Sequence, residues 1–234
     1  MAGKFFRGAL VEFMEAFSVP LPNVIVFQYN PETITHTWNQ PAADPSSRSN
    51  PLAVRGLPGE SFSFTIAMDA GDMIADGGPA AQVMATTSGI YSRLAALEML
   101  QYPVSTSGAG DLIGSVSAAI TSGSSSSGQV KRIVPEAQVP TVLFSWGPGR
   151  ILPVRVTGLT ITERLYDPFL NPTHAEAQLN LRVLTPEELI SVSGLLAKVA
   201  KTAYIFSQRQ RQVLALANLG EAAESIIGML PLSL

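Results

Sequence analysis

The side chains able to do chemistry are few and scattered. The chain has two histidines, His36 and His174, and no cysteine. A zinc centre needs three or four nitrogen, sulfur or carboxylate donors at short spacings. Neither histidine has a second histidine or a close carboxylate pair beside it, so each reads as a strand or turn residue. Without thiols there is no disulfide framework, thiolate ligand or thiol nucleophile. Asp69, Asp72 and Asp76 fall together in MDAGDMIADGG, but the ligand order of a calcium loop and its closing Glu are missing, which leaves an exposed turn. Glu163 or Asp167 could meet another acid in space, as glycoside hydrolysis requires, yet no local motif accompanies them. Nucleophile-elbow, phosphate-loop and HExxH patterns are absent, and GDLIGS lacks the Lys-Ser/Thr that charges a phosphate loop. The reading is a non-enzyme without metal or cofactor.

Composition points to surfaces instead. A chain of 234 residues with 46% hydrophobic content can bury a large core, while only 14% of its residues are charged, against about 25% in ordinary soluble domains. Such a surface favours burial in an assembly. The net charge of −3 and the absence of a long basic run exclude a nucleic-acid footprint, and Arg209 and Arg211 read as a solvated helix face. No apolar run reaches the roughly 18 residues of a spanning helix, so direct membrane insertion is not expected. Glu12 and Glu15 interrupt the apolar stretch a signal peptide would need, which reads as mature sequence made in the cytoplasm.

Several elements are legible. Strands are expected over Ala9–Phe13, Asn23–Tyr29 and Thr33–Trp38, with Asn30-Pro31 turning the chain between the last two. ESFSFTIAM places Phe62, Phe64, Ile66 and Met68 on one strand face. A helix is expected from about Ala80 to Gln101, ended by Pro103. Residues 104–130 are low in complexity, with a brief helix in DLIGSVSAAI. Strands follow at Thr141–Trp146, Ile151–Val156, Leu159–Tyr166 and Ala175–Leu184. TPEE then starts a helix, with Thr185 as cap and Glu188 closing a capping box, carrying Leu189, Val192, Leu196 and Val199 on one stripe to about Phe206. A further helix runs from about Gln208 to Met229. Strands flanked by helices, without alternating βαβ units, give the α+β class: an antiparallel β-barrel or sandwich with a mid-chain helix and C-terminal helices. Residues 1–184 form the β domain, with long loops at 40–58 and 104–130, and residues 185–234 a helical extension.

Three phrases, in order, carry a family resemblance. VIVFQYNPETIT, containing Phe27, Asn30 and Pro31, resembles the strand-and-turn that opens the tube or tube-initiator proteins of contractile injection systems, the phage-tail-like machines of bacteria. VPTVLFSWG, containing Phe144, Trp146 and Gly147, resembles that family's Phe-x-Trp-Gly strand. VRVTGLTITERLYDPFLNPTHAEAQLNLRVLTPEE, containing Phe169, resembles its two-strand continuation. Asn171 stands where a Gly is common and Thr173-His174 where a small apolar residue and Arg are common, and no LysM phrase follows Thr185.

The resemblance implies a tail-tube-like fold and a homohexameric ring between the spike or hub and the inner tube, initiating tube polymerisation beside other baseplate components. The particle would be cytoplasmic, membrane-anchored or released. Alternatives are a polymerising inner-tube subunit of the same machine, a carbohydrate- or peptidoglycan-binding module, or a baseplate hydrolase. Phe144 and Trp146 are then core or ring-interface residues on a hairpin fixed by Gly147-Pro148-Gly149.

Overall fold

The computed structural model describes residues 6–14, 21–41, 52–54, 56–102, 139–190 and 195–229. Seven strands form one antiparallel sheet: β1 (Ala9–Met14), β2 (Leu21–Val26), β3 (Ile34–Asn39), β4 (Gly59–Asp69), β5 (Val142–Ser145), β6 (Ile151–Tyr166) and β7 (Pro172–Val183), in the spatial order β2-β1-β5-β6-β7-β4-β3. The helices are α1 (Ala70–Asp76), α2 (Pro79–Ser88), α3 (Tyr91–Met99) and α4 (Leu195–Met229). The fold is α+β, and the sheet curls without closing. Its inner face brings β4 and β5 together although two strands separate them: the Phe62 and Phe64 rings lie 5.3 and 5.4 Å from Phe144.

Alternation explains which residues enter this interior. In β4, Phe62, Phe64, Ile66 and Met68 are buried, as are Ala175, Ala177, Leu179, Leu181 and Val183 in β7, as the two-residue period of a strand dictates. In β5, Val142, Leu143 and Phe144 are buried in succession. Phe144 joins the inner cluster, whereas Leu143 packs with Leu189 and Ala200 in a second one, so α4 covers the opposite face of the sheet here.

The two strands expected at Ile151–Val156 and Leu159–Tyr166 are one strand. The register against β7 shifts between Val156 and Gly158; the extra residue moves the inward phase from Leu152, Val154 and Val156 to Leu159 and Ile161, keeping apolar side chains on one face. The single helix expected over 80–101 is instead broken between α2 and α3. Gly89 has φ +56, and a Cβ there would lie 2.2 Å from the Pro172 carbonyl oxygen, to which Ile90 N–H donates at 2.9 Å. Only glycine fits this approach. The Asp69–Asp76 segment is helical too: Asp69 Oδ1 caps α1, accepting from Gly71 N and Asp72 N at 2.7 and 3.3 Å.

Thr185 and Glu188 form the expected capping box, with Thr185 N–H donating to Glu188 at 2.9 Å, and the described residues that follow it form a 3₁₀ turn, Glu188–Ile190. The break expected between about Phe206 and Gln208 is absent: α4 runs without interruption from Leu195 to Met229. Its inward stripe is Ala200, Tyr204 and Ser207, while Val199 is exposed. Most of the 40–58 loop, Pro103, all of 104–130 and the brief helix expected there lie outside the described residues. Among the described residues no helix is long and apolar enough to cross a membrane.

Candidate interaction surfaces

Four of the signature residues converge on the segment that enters β1. The Asn30 side chain accepts from Gly8 N–H at 2.9 Å through Oδ1 and donates to the Phe6 carbonyl at 2.9 Å through Nδ2. Phe27 N–H donates to the Gly8 carbonyl at 2.8 Å. Above Gly8 lie the Phe27 and Trp146 rings, with centroids 6.5 Å apart, and Trp146 stacks on Phe144 at 6.2 Å. A Cβ at Gly8 would come within 2.6 Å of Phe27 and 2.7 Å of Trp146. The Asn side chain thus stands in for a strand partner, and the aromatic rings need glycine beneath them. Phe27 and Phe144 are buried, and Trp146 is half-buried against the core. Gly147 has φ +78 and supports the bend closed by Trp146 N–H donating to the Arg150 carbonyl at 2.8 Å. Pro31 follows the clamp half-buried. Phe169 stands apart, 86% exposed at the β6–β7 turn. Gly8 escaped the sequence reading, because a lone glycine before a strand announces nothing about what lies above it.

The acids and histidines are engaged structurally. His174 Nδ1 lies 3.2 Å from Asp69 Oδ2. Burial raises the Asp69 carboxyl, but the His174 contact and the two amide donors outweigh it and hold it below its ordinary value. Asp167 accepts from Asn171 Nδ2, Asn171 N and Phe169 N, each at 2.8 Å, and these bonds, the Asn171 side chain foremost, lower its pKa. Glu163 accepts from Tyr166 Oη at 3.3 Å. Among the described residues no three His, Asp or Glu side chains gather as a metal cage.

Between β3, β4 and α4 lies a polar cluster that the spacing did not indicate. Glu60 is 5% exposed and receives His36 Nε2 at 2.6 Å and both terminal nitrogens of Arg211, Nη1 to Oε2 at 2.9 Å. Burial, with help from the Arg211 and Arg150 charges, lowers the His36 pKa against the opposing pull of Glu60; the Glu60 hydrogen bond raises that of Arg211. One turn earlier, Ser207 Oγ donates to the Ile151 carbonyl at 2.8 Å and accepts from its N–H at 3.2 Å. Arg211, expected on a solvated face, anchors α4 to the sheet.

The sheet ends in β2 and β3, and none of the other described strands pairs with the outer side of either. Neither β2 (LPNVIV) nor β3 (ITHTWN) contains Asp, Glu, Lys or Arg, the residues that usually keep an open edge from pairing. Val24 and Val26 on β2 and Trp38 on β3 are exposed. Both edge strands are therefore uncharged and partly apolar.

No protein-family model and no curated protein matches the chain. Among solved structures, the SPP1 tail tube determined by solid-state NMR and cryo EM aligns over 80% of this chain and 84% of its own, at 10% identity and a TM-score of 0.26.

Proposed function

We propose that the chain is a non-enzymatic structural subunit of a contractile injection particle, forming a ring that joins the spike hub to the inner tube and starts tube polymerisation. The observation that carries this is the pair of uncharged sheet edges. β3 of one copy can add to β2 of the next, a head-to-tail contact that closes into a ring when the rotation per copy divides a full turn. The ordered sequence phrases around Asn30-Pro31, Trp146-Gly147 and Phe169 supply the kind of ring. The residues of the first two hold a strand entry and a hairpin, which fits a scaffold whose contacts with hub and tube lie on its outer surfaces. The particle is made in the bacterial cytoplasm and needs no nucleic acid or membrane insertion from this subunit.

The test is the copy number of this chain per purified particle, measured by quantitative mass spectrometry against sheath and inner tube. One ring's worth supports the initiator ring. Many rings' worth makes the chain the polymerising tube subunit instead, and absence from particles removes both readings.

A further inference from the structure

We infer that the end of the molecule built by the β6–β7 turn and α2 is a second surface between copies of this chain, separate from the sheet edges. The turn, Leu165 to Leu170, is preformed. The Asp167 carboxylate takes three hydrogen bonds from Phe169 and Asn171, each at 2.8 Å, so the one charge inside the turn is engaged with its own loop. Leu165 and Leu170 are the two non-glycine residues with positive φ among the described residues, at 56° and 64°. Side chains with a Cβ are strained there, and such strain concentrates where a surface is used. The geometry holds Phe169 at 86% and Leu170 at 78% exposure, an arrangement that costs the free monomer and contributes nothing to its core.

Beside the turn lies α2, with Val83 and Met84 exposed. The two are joined through a cleft of about 530 Å³ lined by residues that include Asp69, Thr86, Gly89, Asp167 and Thr173, and Asn171 Nδ2 reaches the Thr87 carbonyl at 3.5 Å. From Gly77 to Ser92 the chain carries no charged residue. The exposed parts of Val83, Met84, Leu165, Tyr166, Phe169 and Leu170 sum to on the order of 800 Å², which is what one partner contributes to a stable interface.

The occupant is a neighbouring copy. The charged groups at this face are already engaged within the chain, Asp69 with His174, Asp167 with Asn171 and Arg164 with Glu176, so a partner with charges in its contact patch would bury them unpaired, which is costly; a copy, with only 14% of its residues charged, offers the same charge-poor chemistry. This identification of the occupant rests on the ring reading.

The test replaces Phe169 with the photo-reactive p-benzoylphenylalanine, a substitution that an 86% exposed position accepts. The labelled chain is mixed with ¹⁵N-enriched wild-type chain, assembled, irradiated and digested. The expected result is a cross-link from position 169 to a heavy peptide, with a yield reduced at least tenfold by Leu170→Asp. Oligomers in which position 169 links only within its own chain would overturn the surface and leave the ring standing. Links solely to a different protein in intact particles would also overturn it, assigning the face to a baseplate partner. A wild-type chain that stays monomeric at every concentration would remove the ring and this surface together.

Discussion

Arg211 and Glu60, 151 positions apart in sequence, meet as a two-pronged ion pair that fastens α4 to the edge of the sheet. The carboxylate is almost fully buried and the guanidinium about one-third exposed. Removing one partner leaves a buried charge unsatisfied, whereas removing both leaves a site that apolar side chains can fill. Arg211→Met is therefore expected to lower stability by about 2 kcal/mol, the usual cost of breaking a buried pair discounted for the exposure of the arginine. Glu60→Leu/Arg211→Met should recover most of it. Urea unfolding of the four proteins in the cycle checks this; a loss in the double variant equal to the sum of the two single losses would show that the pair does not couple helix to sheet.

His36 shares the same carboxylate, and its titration gives that contact a pH dependence. Burial and the neighbouring Arg211 and Arg150 hold its pKa below 6.5. A histidine lowered on folding contributes stability that is fully present above its unfolded value and is lost as pH falls through its folded value. Stability should thus decline on acidification from about pH 6.5. Glu12, raised by burial, has the opposite slope at lower pH, so the comparison is made against His36→Gln. The difference in melting temperature between wild type and this variant should change between pH 7 and pH 5, and a constant difference would refute the assignment.

How much of this was legible beforehand depends on whether the signal was local. The alternation of Phe62, Phe64, Ile66 and Met68, the polar face of β7 and the Thr185–Glu188 box are properties of neighbouring residues, and the sequence displays them. The bulge at Val156/Gly158 reads as a gap between strands, because periodicity breaks when one residue is inserted even though pairing continues. Gly89 resembles any helical glycine until Pro172, from a distant strand, arrives beside it. The inward stripe of α4 runs through Tyr204 and Ser207 to Arg211, so a search for apolar spacing selected Val199 instead. The cluster of His36, Glu60 and Arg211 joins three elements and has no spacing to detect.

Gly8 offers a direct test of the signature cluster. Its missing side chain leaves room for the Phe27 and Trp146 rings, which a Cβ would meet at 2.6 and 2.7 Å. Gly8→Ala is expected to cost about 2 kcal/mol, typical of overpacking a filled site, and to alter tryptophan fluorescence by moving Trp146. A variant with unchanged urea midpoint and emission would mean that the entry to β1 is free to shift. Trp146→Asp disturbs the same stack, so an assembly defect in that variant reports on the core as well as on any interface.

The sheet edges are better tested where the monomer has nothing to lose. Val24 on β2 and Thr37 on β3 are exposed, and surface substitutions of this kind change stability by roughly 0.5 kcal/mol or less. Val24→Lys and Thr37→Lys each place a charge on an edge that lacks one. On the proposed edge-to-edge ring, either variant should keep the wild-type melting temperature and sediment as a monomer at concentrations where the wild type is expected to associate. Combining a β2-edge variant with a β3-edge variant should not rescue assembly, since a ring closed through these edges would need both on every copy. Rings formed by both single variants would exclude strand pairing as the contact.

Leu170 separates strain from docking, because the two pull its substitution in opposite directions. At φ 64° a leucine occupies a region that glycine reaches without penalty, and relieving such a conformation is worth about 1 kcal/mol. The side chain is almost free of the monomer, so little packing is lost when it is removed. Leu170→Gly should leave the monomer as stable or up to about 1 kcal/mol more stable, while weakening association between copies. Leu165→Gly, at φ 56°, should act in the same sense. Paired measurements of urea midpoint and sedimentation coefficient distinguish the outcomes. Greater stability with weaker association is what a strained docking turn gives. Greater stability with unchanged association would mean that the leucine is held in its strained conformation for some purpose other than meeting another copy.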